Sequence, residues 1–314
     1  MDEGKGEKEF KPAFRQVSRA GNQDGMSRRR LLSSIVLGFG LGQIARKIAP
    51  PPLKKSINES GVVIKPLSPN SEAEAQKGRG FFEEVFKGLD SQSLWEAHST
   101  VDEFKKLWKS KVEYPDIVHV VKKNERFIRK EMADRGLLAE SGEGIVFVEN
   151  GGGEDKTNAT SGARGVAQLM KKTALSYGMR VDDDVDERAN PIKSIEVMAK
   201  YLRDHKKIFA GNEGLTIWSY HAGVGNVMQA LQVYFLDTVG IDIGDYGRAI
   251  ADDNEDRRVE IERMVAKLIP MYKVNVHRLF SNRKVNDQVI SKLEDMTQTY
   301  VYHVVAGVEL LSQE

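Results

Sequence analysis

Gly144-Ile145-Val146-Phe147-Val148-Glu149-Asn150-Gly151-Gly152-Gly153 is an apolar run that ends in one carboxylate and then breaks into glycines. An acid at the lip of an apolar segment is placed where loss of hydration raises its pKa and holds its proton near neutrality. Two readings of Glu149 follow from these residues alone. It is a catalytic acid, or it is simply the last residue of a core helix or strand.

Downstream, a polar loop from Asn150 to Ser161 leads into Gly162-Ala163-Arg164-Gly165-Val166-Ala167-Gln168-Leu169-Met170. The glycines permit tight turns and close backbone approach, and Gln168 can both donate and accept hydrogen bonds. No Gly-Lys-Ser/Thr ending follows, so a phosphate-cradling loop is not indicated. A second glycine cluster is Ser219-Tyr220-His221-Ala222-Gly223-Val224-Gly225-Asn226-Val227. Met228 stands where a dinucleotide fingerprint needs its third glycine, and no strand pattern precedes it. Tyr220 beside these glycines suits polar contact with a sugar or a carboxyl group, whereas a lone His221 reads first as structural. Asp182, Asp184 and Asp186 have the first spacings of a calcium loop, but Glu187 fills the glycine position and Lys193 that of the bidentate glutamate. A solvated acidic loop is the better account, and no metal or cofactor is implied.

The remaining periodicity is helical. Leu94, Val101, Phe104, Leu107 and Trp108 recur at near-helical spacing, as do Val120, Val121, Phe127, Ile128 and Met132. Lys122, Lys123, Arg126, Arg129 and Lys130 fill the other face of the second stripe and read as a solvated face. Asn190-Pro191 marks a helix start, followed by Ile195, Met198, Ala199, Leu202 and Phe209 on one face. Further helices are expected through Leu215, Trp218 and Tyr220, after the glycines through Leu231, and over Tyr300–Leu311. No alternating pattern long enough for a substantial sheet occurs.

The 314 residues carry a net charge of +1, which gives no case for nucleic acid, and no cysteine, which excludes disulfides and thiolate sites. Residues 1–25 are polar and aperiodic and are expected to be disordered. Ser27-Arg28-Arg29-Arg30-Leu31-Leu32 then precedes an apolar run to about Ala45, the layout of an export signal. The paired arginines look like a twin-arginine signal. Arg46-Lys47 stands where a small-residue cleavage site is expected, so residues 26–48 are read as a signal peptide or an inner-membrane anchor. Pro50-Pro51-Pro52 opens a linker within 49–77, and the folded domain is expected over 78–314. A long charged segment, about 236–290, is read as an insertion in it.

Three blocks in order resemble the lytic transglycosylases of the soluble type, with their goose-type lysozyme-like domain. Val148-Glu149-Asn150-Gly151 resembles the family's Glu-Ser-Gly motif. The block 162–170 resembles its Gly-Leu-Met-Gln segment, and 219–227 its Ala-Tyr-Asn-Ala-Gly segment. Thr297-Gln298-Thr299-Tyr300-Val301 is similar to its closing Thr-x-x-Tyr-Val, and the stretch between Tyr177 and Pro191 to the membrane-bound D type. Asn150 replaces the usual serine and His221 the asparagine after the tyrosine, and no counterpart of the D type's C-terminal wall-binding repeats is expected within residues 1–314.

The resemblance implies a mainly α, lysozyme-like (goose-type/SLT) helical catalytic domain behind a disordered N-terminal export segment and linker. It further implies an exported, periplasmic or envelope enzyme cutting peptidoglycan glycan strands without water. Glu149 would be the catalytic residue, with Asn150, Gln168, Tyr220, His221 and Tyr300 as substrate-binding residues. A hydrolytic muramidase using Glu154 or Asp155 as second carboxylate, and a degenerate glycan-binding scaffold, are the alternatives. Replacing Arg28 and Arg29 together by lysine is expected to hold the protein in the cytoplasm on cell fractionation. Unchanged export would remove the twin-arginine reading.

Overall fold

A computed structural model describes residues 78–293 and 296–314. The expected N-terminal tail, export segment and linker lie outside the described residues. Among the described residues the regular structure is helical, supplemented by isolated antiparallel bridges in two loops, Thr157 to Arg164 to Leu169 and Val181 to Asp186. A helix that includes residues 78–85, α1, is followed by α2 (Ser91–Lys109), α3 (Tyr114–Ala133) and α4 (Ala139–Glu149). A long loop holds the short α5 (Lys171–Ser176). Then come α6 (Pro191–Ile208), α7 (Glu213–Ala222), α8 (Val224–Val239), α9 (Tyr246–Ala251), α10 (Glu255–Met271), α11 (Val276–Ser281), α12 (Arg283–Gln288) and α13 (Tyr300–Leu311).

The apolar run is therefore helix rather than strand. Residues Ser141 to Phe147 of α4 are all buried, so this helix has no solvated face and forms the centre of the domain. It lies between α3 and α13, and α13, itself buried from Tyr300 to Val308, rests in turn on α2. The crossing with α13 is close because glycine faces a bulky partner on each side. A Cβ on Gly144 would stand 2.7 Å from the Val304 carbonyl oxygen, and one on Gly307 would stand 2.5 Å from the Phe147 ring. Burying side chains such as Ile145 and Phe147, both fully inaccessible, stabilises the fold by about 1.5–3 kcal/mol each.

The helix starts follow local chemistry. Asn190 caps α6 by accepting from the Ile192 and Lys193 amides, with Pro191 in the first turn. Asp90 caps α2 and Asn212 caps α7 in the same way. The expected α6 stripe, Ile195, Met198, Ala199, Leu202 and Phe209, is wholly buried. Gly223, at φ +78°, ends α7 and opens α8, which turns one apolar pattern into two helices. The basic face of α3 is spent on neighbours: Lys123 pairs with Glu154, Arg129 with Glu125 and Glu143, and Lys130 with Asp134.

The charged segment 236–290 holds the end of α8 and all of α9 to α12, and it has an apolar side. Tyr246, Ile261, Val265, Leu268, Val276, Leu279 and Val285 join the same core as α4. Its helices pack on α6, α7 and α8.

Gly144→Ala is expected to lower unfolding free energy in urea by about 1–3 kcal/mol, because the Val304 backbone cannot yield cheaply to the added methyl. Gly80→Ala, with nothing within 4 Å of the added carbon, should leave it unchanged or raise it.

Candidate active site

Glu149 is the last residue of α4, half-buried, with its carboxyl at the rim of the core. Tyr300, the first residue of α13 and fully buried, donates its hydroxyl to Glu149 Oε1 at 2.7 Å. Loss of hydration pushes the Glu149 pKa up to about 7, and the Tyr300 hydrogen bond opposes that shift. Desolvation wins, so the acid keeps its proton near neutrality while remaining partly open to solvent. Burial and the nearby carboxyl hold the Tyr300 phenol well above its ordinary range, so it stays a donor.

Tyr300 is seated from two sides. Trp218 Nε1 of α7 donates to the Thr297 carbonyl at 3.0 Å, tying the approach to α13 onto α7. The His221 ring, also on α7, stacks on the Tyr300 ring with centroids 4.5 Å apart and planes 12° apart. Burial takes His221 down to about 4, so it is neutral there. Tyr220 lies close enough for its own acidity to be perturbed by Glu149, yet its hydroxyl donates to the Ala167 carbonyl at 2.5 Å. Its ring meets Tyr201 edge-on. Tyr220 thus joins α7 to the loop that carries Gln168.

That loop is held by buried polar contacts. Gln168 sits at φ +45° and its Nε2 donates to the carbonyls of Lys156 and Gly165 at 2.8 and 2.9 Å. Gly165, at φ +83°, presses on the Arg188 backbone, where any Cβ would stand 1.9 Å from the carbonyl oxygen, so only glycine fits. The buried Arg188 guanidinium donates to the Gly162 and Leu169 carbonyls at 2.8 and 3.0 Å and pairs with Asp186 at 2.7 Å. Arg164 bridges Asp155 at 2.6 Å and Asp186 at 3.2 Å. Asp186, one of the aspartates with calcium-loop spacing, is therefore part of an arginine cluster, and its pKa falls to about 2, chiefly through Arg188.

The structure brings Glu149, Tyr220, His221 and Tyr300 together and places Gln168 as a brace of the adjoining loop. Asn150 departs from the expected sugar contact. It is fully buried, its Nδ2 donates to the Val146 carbonyl at 2.7 Å, and its Oδ1 accepts from the Gly152 amide at 2.7 Å. An amide satisfied on both ends by backbone fixes the turn after Glu149 and has no group to offer a sugar. Arg188 is the structural residue that sequence reading passed over. Its acceptors lie 19 and 26 residues away, beyond any local pattern.

Residues 127–235 match the family described as the transglycosylase SLT domain. The matched region runs from within α3 into α8 and includes Glu149, Gln168, Tyr220 and His221. Tyr300 lies outside the match. Membrane-bound lytic murein transglycosylase D of Escherichia coli (strain K12) is 31% identical over 77 residues, 24% of this chain and 17% of that relative. The protein of the same name from Escherichia coli O6:H1 matches to the same extent. The matched part thus spans well under a fifth of either relative.

Burial makes the neutral Glu149 the favoured form in the folded state, so its contribution to stability is present below the unfolded pKa of 4.5 and is lost as pH rises through about 7. Glu149→Gln removes that ionisation. In urea titrations the variant is expected to gain about 1–2 kcal/mol on wild type between pH 4 and pH 8, the partial exposure of the carboxyl trimming the full value. A gap that does not change with pH would contradict the raised acidity.

Proposed function

We propose that this chain, on the strength of its SLT domain, is a lytic transglycosylase that cleaves the β-1,4 bond between N-acetylmuramic acid and N-acetylglucosamine in peptidoglycan. The observation that carries the reading is Glu149, a half-desolvated carboxyl with a raised pKa, hydrogen-bonded by Tyr300 inside the region of family similarity. The similarity to a membrane-bound lytic murein transglycosylase supports peptidoglycan as substrate.

In the proposed reaction the neutral Glu149 protonates the glycosidic oxygen as positive charge develops at the anomeric carbon. The carboxylate so formed then takes the proton of the sugar's own C6 hydroxyl, whose oxygen closes a 1,6-anhydro ring. One carboxyl serves as acid and then base, and water is not consumed. The substrate's N-acetyl group would assist at the anomeric carbon. Tyr300 steadies the carboxylate between the steps by donating to it, and Tyr220 and Gln168 hold the loop that faces it.

Two loop carboxylates could make the enzyme hydrolytic instead, and their surroundings weigh against that. Glu154 is held by Lys123 at 2.6 Å and Asn124 at 2.9 Å, and Asp155 by the Arg164 fork at 2.6 and 2.8 Å. These partners lower both pKa values, leaving weak bases whose lone pairs are already engaged. The proposed location is the cell envelope. No helix among the described residues is long and apolar enough to cross a membrane, and the proposed anchor, residues 26–48, lies outside them.

Digestion of purified peptidoglycan with the full chain is expected to yield anhydro-ended muropeptides by mass spectrometry. Reducing ends would assign a muramidase, and unaltered glycan a scaffold. Glu149→Gln should abolish product while retaining glycan binding. The rate should fall as pH rises past about 7, where the acid loses its proton.

A further inference from the structure

Glu149 has one side-chain donor among the described residues, the Tyr300 hydroxyl, and that bond is directional. Tyr300 is the first residue of α13, and the turn before it carries Thr297 and Thr299. A phenol at a helix start can swing its hydroxyl away by rotating about its Cα–Cβ bond unless the ring face is covered. Its aromatic cover among the described residues is His221, in the last turn of α7. The contact is a parallel stack, with planes 12° apart, rather than an edge contact that would tolerate rotation. The imidazole nitrogens have no hydrogen-bond partner among the described side chains and backbone, so the ring face is what His221 applies to its neighbour.

We propose that His221 is a positioning residue that acts through Tyr300, its imidazole face holding the phenol so that the hydroxyl stays directed at Glu149. This rests on the reading of Glu149 as the acid, and it differs from the direct sugar contact that family resemblance implies for His221. The titratable groups around the pair are Glu149 from α4, Tyr220 from α7 and His303 from α13. His303 accepts from Trp108 Nε1 at 3.1 Å and is neutral through burial, as is His221. A neutral imidazole suits the role, since a cation there would draw the proton off Glu149.

The test is a double-mutant cycle on purified peptidoglycan with His221→Ala, Tyr300→Phe and the pair. His221→Ala is expected to lower kcat about tenfold with KM within about twofold, and to add nothing in the Tyr300→Phe background. His221→Phe, which keeps a flat face but no ring nitrogen, should recover most of the kcat lost by His221→Ala. Should the alanine variant not fold, His221→Leu keeps the volume without the flat face and takes its place. An undiminished effect of His221→Ala in the Tyr300→Phe background, or an effect confined to KM, overturns the proposal in favour of direct substrate contact. A second readout needs no turnover: the Glu149 titration midpoint by carboxyl NMR should rise both in Tyr300→Phe and in His221→Ala. An unmoved midpoint in His221→Ala alone overturns the proposal, whereas absence of product from the wild type overturns the acid reading and leaves this measurement to stand.

Discussion

The close crossing of α4 and α13 is the constraint on which the rest depends. Gly144 lets the Val304 backbone approach α4, and Gly307 lets the Phe147 ring approach α13. With the two helices so near, the last residue of one and the first residue of the other meet, and Tyr300 reaches Glu149 across 151 positions of sequence. A larger residue at either glycine would press on the partner helix and strain that hydrogen bond.

The carboxyl at that meeting point is under two opposed influences. Loss of water favours its neutral form, and the Tyr300 donor favours its ionised form. Burial prevails, yet the donor remains ready for the anion. In the proposed reaction the group serves first as acid and then as base and so needs both, because either influence alone would stabilise only one half of the cycle. The neutral histidines at this place, His221 and His303, fit the same balance by adding no charge.

The loop that Tyr220 joins to α7 is built on another principle. Arg164 and Arg188 gather Asp155, Asp186 and the carbonyls of Gly162 and Leu169, and Tyr220 bonds the Ala167 carbonyl. The Gly162 and Ala167 carbonyls thereby gain a side-chain partner, and the Leu169 carbonyl a second partner besides the Arg164 amide. Asp186 and Asp155, which invite a metal or a second catalytic carboxylate in the sequence, find their partners in these cations, while Asp182 pairs with Arg180 and Glu154 with Lys123. Asn150 has a similar fate, its amide consumed by the turn that follows Glu149.

Much of this was legible in the sequence because its causes are local. Capping at Asn190-Pro191, the apolar periodicity of α2, α3 and α6, and the glycine break between α7 and α8 are properties of neighbouring residues, and they determined a mainly helical domain. Family resemblance in the glycine-flanked blocks pointed to Glu149 and Tyr220, and in the closing segment 297–301 to Tyr300. The role of each needed the tertiary structure. Whether α4 is strand or helix, whether Asn150 faces a sugar or its own backbone, and whether the segment 236–290 is an appendage or part of the core depend on which distant residues share a surface. The pairing of Tyr300 with Glu149, and of His221 with Tyr300, is a product of helix packing. No spacing along the chain encodes it, because it arises only when α4, α7 and α13 bury their faces against one another.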